Sequence, residues 1–520
     1  MDRNFGKMRI WFSCLFLVAL VAHGQVRPLT GLVQPRNANT LHSAGIPSVS
    51  VSNLRFRNTD YPTGPVPYGI AAGDFNGDGS LDVVTADSGN IDYGKANNTV
   101  GVLLNKGNGT FEHHVDYTVG NGPTAVVVGD FNGDGKLDLA VWNSSDGTVS
   151  ILLGNGDGTF QSQKVTNLNT PIQADTMAVG DFNGDGKLDL VVTDFINAAV
   201  RVLLGNGDGT FQAPVSYPVA ARAMNVAVAD LRHNGKLDLV VTTWVGNPND
   251  SVSVLLGNGD GTFQTAANYS VDSEPGSVVV ADFNHDGKLD LGVANICGHD
   301  YVLCEQTGTV SVLLGKGDGS FRPQTDYGVG RSPFDIATAD FNGDGKPDLA
   351  VPNGYDSTVT LLFNKGNGTF NSQQTFGAGN QSLGLVAGQF SGGGIGSADV
   401  VLSNWGSYQG DSITAVLNEA ATLLTLKSSP NPSKHGQSVT FTATVKAAVK
   451  GAGTPKGKAS FFRVVGSQRK LLGTAPLVKG VGVLQYSKLP RGKNQITVLY
   501  SGNANFNPNY DQQGLIQTVR

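Results

Sequence analysis

The sequence predicts an all-β chain, a seven-bladed β-propeller followed by a small antiparallel β-sandwich. Three observations predict it. A ten-residue acidic stretch, DFNGDGKLDL from Asp181 to Leu190, recurs at intervals near 50 residues along most of the chain. Between copies lie short runs rich in Val, Leu and Thr, punctuated by glycine turns, as expected for strands rather than helices. Beyond about residue 420 the acidic stretch disappears and the charge balance reverses.

The N-terminus stands apart from the fold. Arg3, Lys7 and Arg9 form a basic start, Ile10 to Ala22 is apolar, and Ala22-His23-Gly24 supplies small residues before a cleavage point at Gln25. Residues 1–24 therefore read as a signal peptide, with an apolar run short for a membrane span; an uncleaved anchor is the alternative. Cys14 lies inside this run and receives no role. Residues 25–48 mix Pro, Asn, Gly and Ser without periodicity and read as a flexible lead-in.

Residues 49–420 carry the repeats. The leading aspartates Asp74, Asp130, Asp181, Asp230, Asp282 and Asp340 are spaced by 56, 51, 49, 52 and 58 residues, and a remnant follows at Gln389 after a further 49. Seven units of this length, each with several short strands, fit propeller blades better than a helical solenoid. In the unit containing Asp181, MAVGD, LDLVVTDF, AVRVLLGN and GTFQAPVSYPV are expected to be four strands, the last two joined by the Asn/Asp-Gly turn GNGDGTF. The seventh unit ends after three strands, while VSNLRFRNTDYPTG near the start resembles a fourth strand. The N-terminal stretch is thus expected to complete the last blade and protect the ring's edges.

Side-chain oxygens at positions 1, 3, 5 and 9 of the acidic stretch suit a hard cation such as Ca2+. Five copies keep all four: Asp74, Asn76, Asp78 and Asp82; Asp130, Asn132, Asp134 and Asp138; Asp181, Asn183, Asp185 and Asp189; Asp282, Asn284, Asp286 and Asp290; Asp340, Asn342, Asp344 and Asp348. The carbonyl at position 7, as at Lys136, could add a ligand. A glycine at position 6, as at Gly135, permits the positive φ that folds the oxygens inward. An EF-hand is excluded, because its position 12 needs glutamate, and here it is Thr85, Val141, Val192, Val293 or Val351. The copy at Asp230 places Arg232 and Asn234 at ligand positions, and the remnant at Gln389 has lost nearly all its acids. About five calcium sites are therefore expected. At an extracellular-type Kd near 10⁻⁴ M, millimolar calcium stabilises the fold by about 1.4 kcal/mol per site.

The acids of the hairpin turns, Asp157, Asp208, Asp260 and Asp318, are explained by turn chemistry, with a second cation site as the alternative. The aromatic at position 2, as at Phe131 or Phe182, is expected to pack between blades. Two longer excursions begin at Ser88 and Asn295. The second contains Cys297 and Cys304, which in an exported chain favour a local disulfide. A metal site adding His299 is the alternative, but that supplies three soft ligands where structural zinc takes four.

Residues 421–520 alternate polar and apolar residues over about 100 positions, as in a small sandwich. They hold ten Lys and four Arg against one acid, a net charge of +13, leaving −19 for the preceding residues. Solvated lysines explain this without a specific polyanion site.

The repeats resemble FG-GAP (VCBS-type) repeats, the family shared with the propeller of integrin alpha subunits and many exported bacterial proteins. The calcium loop is the most specific motif of that resemblance, which covers about residues 49–418 and implies Ca2+ at the five ligand sets above. The C-terminal tract, with YSGNANF from Tyr500, resembles bacterial Ig-like domains of cell-surface proteins. Together they imply a secreted or cell-surface, non-enzymatic binding or adhesion scaffold. The partner class expected is an extracellular glycan or a surface or matrix protein, with no nucleic acid and no stable membrane span after signal cleavage. A carbohydrate-active enzyme or lectin built on the propeller is the alternative. No GxSxG, HExxH or paired His/Cys constellation is visible, and the eight histidines do not recur as a set.

Overall fold

The chain's structure, a computed structural model, describes residues 55–90, 95–168, 176–245, 250–297, 307–391, 398–405, 411–419, 422–447, 454–465, 468–501, 509–510 and 514–520. The expected signal peptide and lead-in, 1–24 and 25–48, lie outside the described residues. Among the described residues there is no helix long and apolar enough to cross a membrane.

Among the described residues, seven antiparallel four-stranded sheets repeat along the chain. Blades one to six are built from consecutive strands, beginning with Pro67–Gly73, Asp82–Asn90, Lys95–Leu103 and Val115–Thr118 in blade one. In each blade the strand before the acidic loop is innermost and contacts the innermost strand of the next, and blade seven contacts blade one. Blade seven takes Ser382–Gly388, Asp399–Asn404 and Ser412–Glu419 from the end of the propeller and Arg55–Pro62 from its beginning. Arg55 pairs with Glu419 and Pro62 with Ser412, so the ring closes by the N-terminal strand, as its sequence suggested.

The second strand of every blade is buried on both faces. In Asp138–Asn143, for example, every residue is buried, because neighbouring blades cover the sheet from either side. In the unit containing Asp181 the fourth strand is shorter than its sequence suggested. Val215–Pro218 replaces the expected run from Gly209, and Phe211 joins the sheet by one bridge to Gly205. The excursion from Ser88 is in part a continued hairpin, with Asn90 opposite Lys95.

Packing between blades is aromatic. The position-2 phenylalanine of one blade meets the phenylalanine after the hairpin turn of the next: Phe75 and Phe160 lie 5.5 Å apart at 73°, and Phe182 and Phe263 5.6 Å apart at 71°. Such edge-to-face pairs contribute about 0.5–1.5 kcal/mol each beyond their buried area.

The C-terminal residues form a separate two-sheet unit. Thr422–Ser429, Val439–Ala447 and Val481–Tyr486 make one sheet, and a five-stranded sheet including Lys458–Val465 and Gly492–Tyr500 faces it. Phe441, Phe461, Ile496 and Val498 lie in its core.

Candidate metal centre

Each acidic loop joins the innermost strand of a blade to its second strand, so all of them lie at the same end of the ring. In blade two the Asp130 carboxylate accepts hydrogen bonds from Gly133 N at 2.7 Å, Asp134 N at 3.1 Å and Gly135 N at 2.8 Å. Asn132 Oδ1 accepts from Asp134 N, and Asp134 Oδ1 from Lys136 N. The loop is thus folded onto its own side chains. Gly133 and Gly135 have φ of 74° and 83°, the left-handed region that allows this reversal. Loops one, three and six repeat these bonds from Asp74, Asp181 and Asp340, and loop five repeats most of them from Asp282.

Position 9 has a part that its sequence did not disclose. Asp138 is fully buried at the start of the second strand. Its Oδ2 accepts from Phe131 N at 2.9 Å, and its Oδ1 accepts from Gly154 N at 2.7 Å, at the far end of the third strand. It is a strut between loop and hairpin. Asp82, Asp189, Asp290 and Asp348 make the equivalent pair of bonds. Burial, opposed by these hydrogen bonds and reinforced by the neighbouring position-1 and position-5 aspartates, raises Asp82, Asp138, Asp189 and Asp290 to about 6. Asp348 is pushed to about 8, again chiefly by burial.

The loops also join neighbouring blades. The carbonyl of Phe75 accepts from Gly158 N of the next blade's hairpin at 2.9 Å, and Phe131, Phe182 and Phe283 do the same for Gly209, Gly261 and Gly368. Where asparagine stands at the start of the hairpin, its side chain joins in. Asn105 Nδ2 donates to Phe390 O across the ring closure, and Asn418 Nδ2 to Phe341 O.

Lysine at position 7 points out of the loop. Lys136 Nζ lies 3.9 Å from Asp134, and Lys346 Nζ 3.1 Å from Asp344, exposed pairs that contribute about 0–1 kcal/mol.

The donor set of the five loops is entirely oxygen, with three mutually repelling carboxylates in nine residues, which is the chemistry a hard divalent cation neutralises. Among the described residues no three acidic, histidine or cysteine side chains already converge as a ligand cluster. The carboxylates instead face backbone N–H groups of their own loop. The fourth loop shows where positive charge fits: Arg232 Nη2 donates to Asp238 Oδ1 and to Gly257 O, both at 2.7 Å. The arginine at position 3 stands against the position-9 carboxylate. In blade seven Asp399 keeps its bonds from Phe390 N, Ser391 N and Asn418 N although the loop's other acids are gone; residues 392–397 lie outside the described residues.

In the hairpin turns, Asp157 Oδ1 accepts from Thr159 N at 3.0 Å and Thr159 Oγ1 at 2.6 Å. The two bonds hold this fully exposed carboxyl below its ordinary value and account for it as a turn residue. Cys297 is buried and disulfide-bonded; Cys304 and His299 lie outside the described residues.

Among comparisons with known proteins, a search of curated sequences finds no match. Solved structures with similar form include BBS1N in complex with ARL6DN, with 14% identity, 70% of this chain and 96% of that one covered, and a TM-score of 0.46. A putative 6-phosphogluconolactonase from Bacteroides uniformis shows 14% identity, coverage of 61% and 86%, and a TM-score of 0.45. The periplasmic gluconolactonase PpgL of Pseudomonas aeruginosa shows 15% identity, coverage of 60% and 86%, and a TM-score of 0.45. The FG-GAP-like repeat model matches residues 74–141, 130–192, 188–241, 243–293 and 298–351, and the bacterial Ig-like domain (group 3) model matches 424–520. This combination indicates an extracellular or periplasmic β-propeller scaffold, and the chain belongs to the FG-GAP-like repeat family, with a bacterial Ig-like domain at its C-terminus.

Proposed function

We propose that the protein is an exported, calcium-dependent binding scaffold without enzymatic activity of its own. On this reading the propeller presents a ligand surface to an extracellular glycan or a surface or matrix protein, and the Ig-like unit serves as spacer or attachment module. The observation that carries it is the repetition, in five blades, of an all-oxygen loop whose position-2 residue and position-9 strut connect that loop to hairpins of its own and neighbouring blades. The sets led by Asp74, Asp130, Asp181, Asp282 and Asp340 would each hold one Ca2+. The ion neutralises carboxylates that otherwise repel one another, and the loop transmits that gain to the contact between blades. Cys297 with Cys304 would close the excursion of blade five as a disulfide.

The test is thermal unfolding of the exported chain in calcium and in excess chelator, with bound metal counted by elemental analysis. About five calcium ions and a large fall in melting temperature on chelation are expected. No bound calcium and an unchanged melting temperature would overturn the reading.

A further inference from the structure

The end of the ring opposite the acidic loops carries a different chemistry. There the innermost strands begin and the second strands end, and a discrete apolar cluster gathers around the axis, separate from the cores between blades. Five of its aromatics come from five blades: Tyr68, Phe195, Trp244, Phe334 and Trp405, of blades one, three, four, six and seven. Phe195 and Phe334 are buried, whereas Tyr68, Trp244 and Trp405 remain partly open to solvent. A plug of the axial channel would account for the buried members alone.

The polar groups beside the cluster point to a ligand. Exposed Arg222 begins the innermost strand of blade four, and its guanidinium lies 5.3 Å from the ring centre of Phe195 and 5.4 Å from that of Trp244. It makes no hydrogen bond or ion pair among the described residues, so stacking holds it in place with its five N–H donors unused. Trp244 Nε1 is buried without a partner. Buried donors are ordinarily paired, and the unpaired indole N–H of Trp244 together with the Arg222 guanidinium, in one blade beside partly open aromatic faces, defines a site for an acceptor-rich ligand with an apolar face.

We infer that this aromatic mouth binds a neutral glycan chain, a reading that rests on the proposed scaffold function and names its ligand class. A pyranose offers a C–H face for the tryptophan and tyrosine rings and hydroxyl oxygens for Arg222 and Trp244. A cationic ligand is opposed by Arg222, and a polyanion by the net charge of −19 on the residues before the sandwich.

Tryptophan fluorescence reports on the site directly, because Trp244 and Trp405 belong to it while Trp142 is fully buried between blades. The calcium-loaded full chain is titrated with cellohexaose, xylohexaose, mannohexaose and polygalacturonate. Saturable quenching or a blue shift with at least one neutral hexasaccharide is expected. Arg222→Gln and Trp405→Ala each weaken it by about tenfold or more. Arg222 is exposed, so its replacement leaves the melting temperature unchanged and separates recognition from folding. Silence with all three neutral sugars, response to polygalacturonate alone, or binding that survives both substitutions overturns the inference. A protein that is stabilised by calcium yet binds no sugar loses the glycan site and keeps the scaffold reading.

Discussion

The guanidinium of Arg232 lies against the fully buried carboxylate of Asp238, with Nη2 to Oδ1 at 2.7 Å and Nε to Oδ2 at 3.3 Å. Burial raises Asp238, and the arginine's hydrogen bonds and charge pull it back. Blade four therefore carries its own cation, where five other blades carry asparagine at the same position and three acids around it.

Arg232→Ala leaves Asp238 buried and uncompensated and is expected to cost about 3 kcal/mol, equally in calcium and in chelator. Arg232→Asn with Asn234→Asp rebuilds the four-ligand pattern and adds one calcium to the number bound. Elemental analysis beside denaturant unfolding checks both; an unchanged metal count in the double variant shows that loop four lacks more than its ligands.

Positions 3 and 9 of one loop are expected to separate metal binding from scaffold. Asp138→Ala strands the N–H groups of Phe131 and Gly154 and costs about 2–4 kcal/mol even in chelator. Asn132→Ala removes only an exposed bond inside the loop, so its loss shows in calcium and nearly vanishes in chelator. Paired unfolding curves decide; equal losses for Asn132→Ala in both conditions contradict a ligand role.

His233 and His285 stand at position 4 with φ of 50° and 57°, where Gly133 and Gly184 have 74° and 75°. A residue with a Cβ is strained there, so His285→Gly is expected to stabilise by about 1 kcal/mol with or without metal. A shift to lower melting temperature would show that the histidine makes compensating contacts.

Asp87 is buried in blade one, its Oδ1 accepting from Thr85 Oγ1 and its Oδ2 without a hydrogen-bond partner. Burial pushes it well above the ordinary 3.8, with Asp116 and Asp411 adding to the rise. Between 3.8 and its folded value the native state holds a proton that the unfolded chain has released, so stability falls as pH rises through that window and levels off above it. Asp87→Asn is expected to remove this contribution and to be the more stable protein at neutral pH. Unfolding of both proteins in chelator over about pH 4 to 8 measures the difference; parallel curves would contradict the assignment.

The sequence determined what ten to fifty residues can encode on their own. The loop pattern with glycine at position 6, the turn signals and the alternating strands are local, and their repetition announces the blades; even the closure by Arg55–Pro62 was legible, because the seventh unit lacked one strand and the start of the chain had one to spare. Tertiary structure decided the rest. Asp138 reads as one more ligand until Gly154 N, sixteen residues away, is brought to its other oxygen. Arg232 reads as damage to a metal loop until the hairpin carbonyl of Gly257 is folded beside it. The aromatic mouth does follow the repeat, since Tyr68 and Phe334 stand six residues before a loop's leading aspartate and Phe195, Trp244 and Trp405 six residues after its position-9 aspartate, but that these two positions meet across blades appears only when the ring closes. Local patterns survive in sequence because backbone geometry fixes their spacing, whereas partners contributed by different strands and blades are set by packing, which no spacing along the chain records.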